Sequence, residues 1–130
     1  MQWIDDYLER AVYEDGGRGP VRYDCWGLVR EARDKHMGLS RLPLYGDLRN
    51  TEPLAFTKAY RSESGKLREC GPEHGAIAAV LIGNVCVHVA LVLDEDGEFV
   101  VLEINPLKSA RVVKLNIWLQ DHVRVTYHND

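Results

Sequence analysis

Several features are scarce or missing. The three cysteines, Cys25, Cys70 and Cys86, among 130 residues are too few and too irregularly spaced for a disulfide framework. No C-x-x-C or H-E-x-x-H spacing offers zinc ligands, so neither a metal nor a cofactor is expected. No apolar run approaches the ~18 residues that a membrane span needs. The opening MQWIDDYLER has no basic segment followed by an apolar one, so no signal peptide and no membrane insertion are expected, and synthesis is expected in the cytoplasm. Lysines and arginines number 16 against 20 acidic residues and are dispersed rather than gathered into a stripe, which argues against a nucleic-acid partner.

What remains is ordinary globular material. Hydrophobic residues make up 45% and charged residues 28%, with no repeat or low-complexity tract, so residues 1–130 read as one domain around one core. Trp3, Ile4, Tyr7, Leu8, Ala11 and Val12 recur at three-four spacing and predict an amphipathic helix from residue 2 to about 13. The stretch EDGGRGPVRYD is a structured loop, and Asp24 is placed to cap a second helix. That helix carries Cys25, Leu28, Val29 and Ala32 on one face, and Gly38 marks its stop. Pro53 opens a short third helix to about Tyr60, and the segment RSESGKLRECGPEHG reads as polar connection.

The second half alternates instead. AIAAVLI, a Gly83-Asn84 turn, VCVHVALVL, a DEDG turn, EFVVLEI and the short runs ARVVKL and HVRVTY read as strands. Helices first and strands after predict an α+β domain, its N-terminal helices packed on a central antiparallel sheet.

Strand parity in the hairpin from Val85 to Asn105 is the most informative pattern. One face collects Val85, Val87, Val89, Leu91, Leu93, Val100, Leu102 and Ile104; the other holds Cys86, His88, Ala90 and Val92 opposite Phe99, Val101, Glu103 and Asn105. A four-residue loop places His88 opposite Glu103, and a two-residue loop at Asp96-Gly97 places it opposite Asn105. A histidine between two valines, taken alone, reads as a satisfied core residue. A carboxylate or carboxamide beside it makes the pair the base and orienter of a nucleophilic site.

Cys25 stands where a helix begins, the place at which backbone N–H groups and an adjacent imidazolium favour a thiolate. With the second helix packed on the His88 face, its thiol would be poised to attack a carbonyl carbon, and its own N–H could hold the oxyanion. Gly27 in the first turn predicts close approach of another segment. Cys70 and Cys86 read as buried apolar residues, Cys86 filling space near His88. His36, His74, His122 and His128 lie outside the parity pattern and read as solvated or structural.

YDCWGLV resembles the D-C-S/W-G-L/F-V nucleophile motif of the NlpC/p-sixty cysteine peptidases, and with GGRGP before it looks like the bacteriophage and prophage tail branch. The family's H-V-G/A matches HVA at His88, and VLEI puts Glu103 at its third polar position, where relatives usually carry His, Asn or Gln. YEDGG aligns Tyr13 with a tyrosine that assists the oxyanion hole in relatives.

The resemblance implies a papain-like fold and a cysteine endopeptidase hydrolysing an amide bond in peptidoglycan stem peptides. Cys25 would be the nucleophile, His88 the proton carrier, Glu103 the orienter (with Asn105 as the alternative), Tyr13 and the Cys25 N–H the oxyanion donors, and Trp26 a groove wall, its rival reading being a core aromatic. It also implies a virion tail-tip enzyme that opens the cell wall during DNA entry, alongside other tail proteins. The alternatives are a structural tail-tip protein with a decayed site, an acyltransferase using the same residues, and a secreted amidase toxin.

Overall fold

The computed structural model describes residues 1–130. Its helical part comprises α1 (Gln2–Arg10), α2 (Cys25–Glu31, prolonged by a wider π turn over Ala32–His36) and α3 (Pro53–Ser64). Helix α1 ends three residues before the expected boundary. Ala11 is extended, and Val12–Tyr13 forms β1, which pairs in parallel with β2 (Arg22–Tyr23) across the glycine-rich loop. Four further residues extend α3 beyond Tyr60.

The remaining strands are β3 (Arg68–Cys70), β4 (Ile77–Ile82), β5 (Val85–Glu95), β6 (Glu98–Glu103), β7 (Arg111–Lys114) and β8 (Arg124–Asn129). They form one antiparallel sheet in the order β3-β8-β4-β5-β6-β7. Strand β3 lies inside the segment expected to be plain connection, where RECG pairs with the end of β8. A short helix, α4 (Leu115–Trp118), separates β7 from β8 and was not foreseen.

The sheet is covered on both faces. Helices α1, α2 and α3 bury Ile4, Leu28, Val29, Phe56 and Tyr60 against Ile77, Ala79, Val89, Leu91 and Leu102. On the other face α4 lays Leu115 and Trp118 over Ala78, Ala90, Val92 and Val101. Each fully buried Val or Leu contributes about 1.5–3 kcal/mol, so the larger helical face supplies most of the driving force.

Two local features decide where the hairpin's polar residues go. Its turn is the two-residue form, with Asp96 and Gly97 at φ 54° and 87°, so Glu95 pairs with Glu98. In the β4–β5 ladder Val80 pairs with His88 but Leu81 pairs with Cys86, leaving Val87 as the extra residue of a bulge. The bulge reverses the alternation below it. Cys86 therefore joins the helix-covered core, and Val87 packs with the α4 side, opposite to the simple parity expectation for both.

Candidate functional site

The N-terminus of α2 is held by a fully satisfied buried carboxylate. Asp24 has extended backbone (φ −97°), and its Oδ1 accepts from the Gly27 N–H at 2.9 Å and from the Arg18 guanidinium at 2.7 Å. Its Oδ2 accepts from the Gly16 N–H at 3.2 Å. Arg18 also donates to the carbonyls of Leu44, Tyr45 and Leu48, so one cation ties the glycine-rich loop, the helix cap and the 44–48 segment together. Gly27 is required: a β-carbon there would overlap the Gly17 carbonyl. The capping role of Asp24 and the close approach at Gly27 were both legible beforehand, whereas Arg18 was not singled out.

Cys25, 1% exposed, is the first residue of this helix. N–H groups of a first turn have no helical carbonyl four residues back, and they carry the positive end of the helix dipole. The helix does not pack on the His88 face as expected, because Leu28 and Val29 lie with Val89 and Leu91 on the opposite side of the sheet. The cysteine nevertheless meets the histidine. By the β5–β6 register His88 lies two residues beyond Ala90, the residue across from the end of β6 at Glu103, and the Cys25 thiol is close enough to raise the imidazole's pKa.

The ring's hydrogen-bonding partner is Glu103, whose Oε1 lies 2.8 Å from His88 Nε2. Register alone points elsewhere, since the two-residue turn places His88 across from Asn105 and Glu103 across from Ala90. A glutamate spans the diagonal between neighbouring strands, and Asn105 makes no side-chain bond to the imidazole. With Nε2 committed to Glu103, Nδ1 is the nitrogen left for the thiol.

Glu103 is itself anchored. Trp118 Nε1 donates to Oε1 at 2.9 Å, and Arg111 donates to Oε2 through Nε at 2.8 Å and Nη2 at 2.7 Å. Burial alone would raise the carboxyl's pKa, but bonds from His88, Trp118 and Arg111 outweigh it and lower it to about 2. Burial likewise pushes His88 down, and the neighbouring Cys25 thiol together with the bond to Glu103 reverses that and raises it to about 9. Arg111 pairs directly with Glu103 in the β6–β7 ladder, so aligning EFVVLE with RVVK would have exposed it. No sequence signal pointed to Trp118.

Tyr13 lies within electrostatic reach of Cys25, but its hydroxyl is engaged with Asp15 Oδ1 at 3.0 Å and Asn50 Oδ1 at 3.3 Å. Burial first, then the bond to Asp15, raises its pKa. Asn50 also donates to the Val87 carbonyl at 3.3 Å, linking the segment before α3 to the bulge beside His88. Trp26 is corrected from groove wall to core. It has no exposed surface, packs edge-on against Tyr45 and Phe56, and donates its indole N–H to the Pro43 carbonyl at 2.9 Å. Cys86 is near His88 only through the backbone, its sulfur 3.7 Å from the His88 carbonyl oxygen.

An open groove of about 640 Å³ begins at His88. Asn50, Ile82, Val87, Asn105, His122 and Val123 are among the residues that line it with His88. His122 packs against Trp118 with ring centroids 4.4 Å apart, which brings a second imidazole into the site; the solvated or structural reading had left it out. No three His, Cys, Asp or Glu side chains converge as metal ligands do.

Comparisons with protein-family models, with curated proteins and with solved structures found no match to this chain.

Proposed function

We propose that this chain is a thiol hydrolase of the papain-like NlpC/p-sixty type, cutting an amide bond in the peptide part of bacterial cell wall. The observation that carries the proposal is the His88 imidazole bonded to the buried Glu103 carboxylate, with the Cys25 thiol nearby at a helix N-terminus. The YDCWGLV and HVA motifs supply the family and the substrate class.

In this reading the substrate's peptide lies in the groove beside His88. Cys25 Sγ passes its proton to Nδ1 and attacks the carbonyl carbon; the Cys25 N–H stabilises the resulting oxyanion. His88 then delivers the proton to the leaving amine nitrogen as the C–N bond breaks. Water, deprotonated by the same imidazole, releases the acyl group from sulfur. Glu103 keeps the ring oriented throughout. Tyr13 joins the oxyanion donors when its hydroxyl leaves Asp15 and Asn50. The enzyme works at a phage tail tip, meeting the wall from outside.

Digestion of purified peptidoglycan by wild type and by Cys25→Ala, with fragments identified by mass spectrometry, tests this. Cleavage by wild type alone is expected, and the new termini name the bond. A folded wild type that releases nothing from walls of several bacterial types overturns it.

A further inference from the structure

We propose that Arg111 is a positioning residue for the His88 imidazole, acting through Glu103 and setting how readily the ring gives up its proton. The proposal rests on the reading of His88 as the proton carrier and concerns the regulation of that site.

Glu103 is 2% exposed, and its two oxygens divide their partners cleanly. Oε1 receives His88 Nε2 and Trp118 Nε1, while Oε2 receives only Arg111, through two of its nitrogens. Removing Arg111 leaves a buried carboxylate oxygen with no donor, a costly state that the carboxylate relieves by turning or by drawing harder on the imidazolium. Trp118 still pins Oε1, so the second route is favoured.

The charges give the direction. The groups facing His88 are Cys25 from α2, Glu103 from β6 with Arg111 behind it from β7, and His122 from the segment after α4, while Asp121 and Arg124 line the same groove. Cys86 shares its strand but lies on the opposite face. Arg111 is the one permanent cation bonded to Glu103, and it offsets the carboxylate that holds the proton on the ring. An imidazole that takes the thiol's proton and never releases it would stall at the leaving-group step, so an oriented but partly neutralised carboxylate suits turnover. Arg111 sits on the outermost strand of the sheet, with its side chain half exposed, so it can be changed without disturbing either core.

The test is an NMR titration of the His88 ring in wild type, Arg111→Met and Arg111→Lys, alongside kcat and KM on peptidoglycan fragments. Arg111→Met is expected to raise the His88 midpoint by about 0.5 to 1 pH unit. The corresponding loss in kcat is roughly three- to tenfold with KM held, and lysine should restore most of both. A midpoint in Arg111→Met that is unchanged or lower overturns the proposal. If methionine does not fold, Arg111→Gln, a neutral donor, takes its place under the same criterion. The titration reads the ring directly, so a wild type that cleaves no cell wall while the midpoint still moves would defeat the hydrolase reading alone.

Discussion

The carbonyl of Gly17 occupies the space where a side chain on Gly27 would begin. The same carbonyl accepts from the Asp24 N–H at 3.0 Å, so the glycine-rich loop is stitched to the first turn of α2 just beside Cys25. Gly27→Ala gains about 1 kcal/mol of helix propensity but must displace backbone rather than a flexible side chain. Overpacking of this kind typically costs about 1–3 kcal/mol and shifts neighbours. A lower urea midpoint is expected, together with weaker protection of the Asp24 amide in hydrogen exchange. An unchanged midpoint would show that the loop yields freely.

Much of this architecture was readable because two signals agreed. Apolar residues at three-four spacing gave α1 and α2, Pro53 marked the start of α3, and alternation with turn residues gave the central strands. The misses have local causes. Val12 and Tyr13 continue the helical pattern of α1, but the chain needs them extended to pair with β2. Strand β3 and helix α4 are too short to show a period. At the candidate site, Glu103 was identified together with its rival Asn105, yet for a reason that register could not supply: the bond runs diagonally, and side-chain length decides it. The bulge at Val87 leaves no signature in residue order, and the structure settles Trp26 for the core reading over the groove-wall one.

Burial should set Cys86 apart from an exposed thiol in reactivity. Burial first of all pushes Cys86 up to about 12, and it lies in the core under α3 with its amide bonded to Thr57 Oγ1 at 2.8 Å. Cys70, also raised by burial, is half-exposed on β3. With iodoacetamide at neutral pH, peptide mapping should find Cys86 unmodified until denaturant is added. Alkylation of native Cys86 at the rate of an exposed thiol would contradict its place in the core.

Stability should depend on pH through the His88–Glu103 pair. His88 is raised above its ordinary value of 6.5, so its contribution is complete below that pH and disappears as pH rises through about 9. Glu103 is lowered from 4.5, so its contribution is present above 4.5 and disappears as pH falls towards about 2. The pair therefore favours the fold most between pH 4.5 and 6.5. Urea midpoints from pH 3 to 10 for wild type and Glu103→Gln should diverge most inside that window and draw closer as pH rises through about 9, the remaining gap there reflecting the Arg111 and Trp118 bonds to Glu103. A constant gap across the whole range would mean that the ion pair contributes no pH-dependent stability.

Glu103→Gln and Asn105→Ala together decide which residue orients the ring. Glutamine keeps an acceptor for His88 Nε2 but removes the charge that favours imidazolium, so the His88 midpoint should fall and the alkaline limb of any hydrolytic rate should move to lower pH with it. Asn105 lines the groove without bonding to the imidazole, so its replacement should leave the midpoint within about 0.2 pH units. Its effect, if any, belongs to substrate affinity and hence to KM. The reverse pattern, a shifted midpoint in Asn105→Ala and none in Glu103→Gln, would mean that the ring turns in solution to the partner opposite it in the ladder. Glutamate would then serve only to hold Trp118 and Arg111, and the positioning role of Arg111 would fall with it. Trp118→Phe adds a further check. It removes the 2.9 Å donor to the same oxygen that His88 uses, so the imidazole should claim that oxygen more strongly and its midpoint should rise.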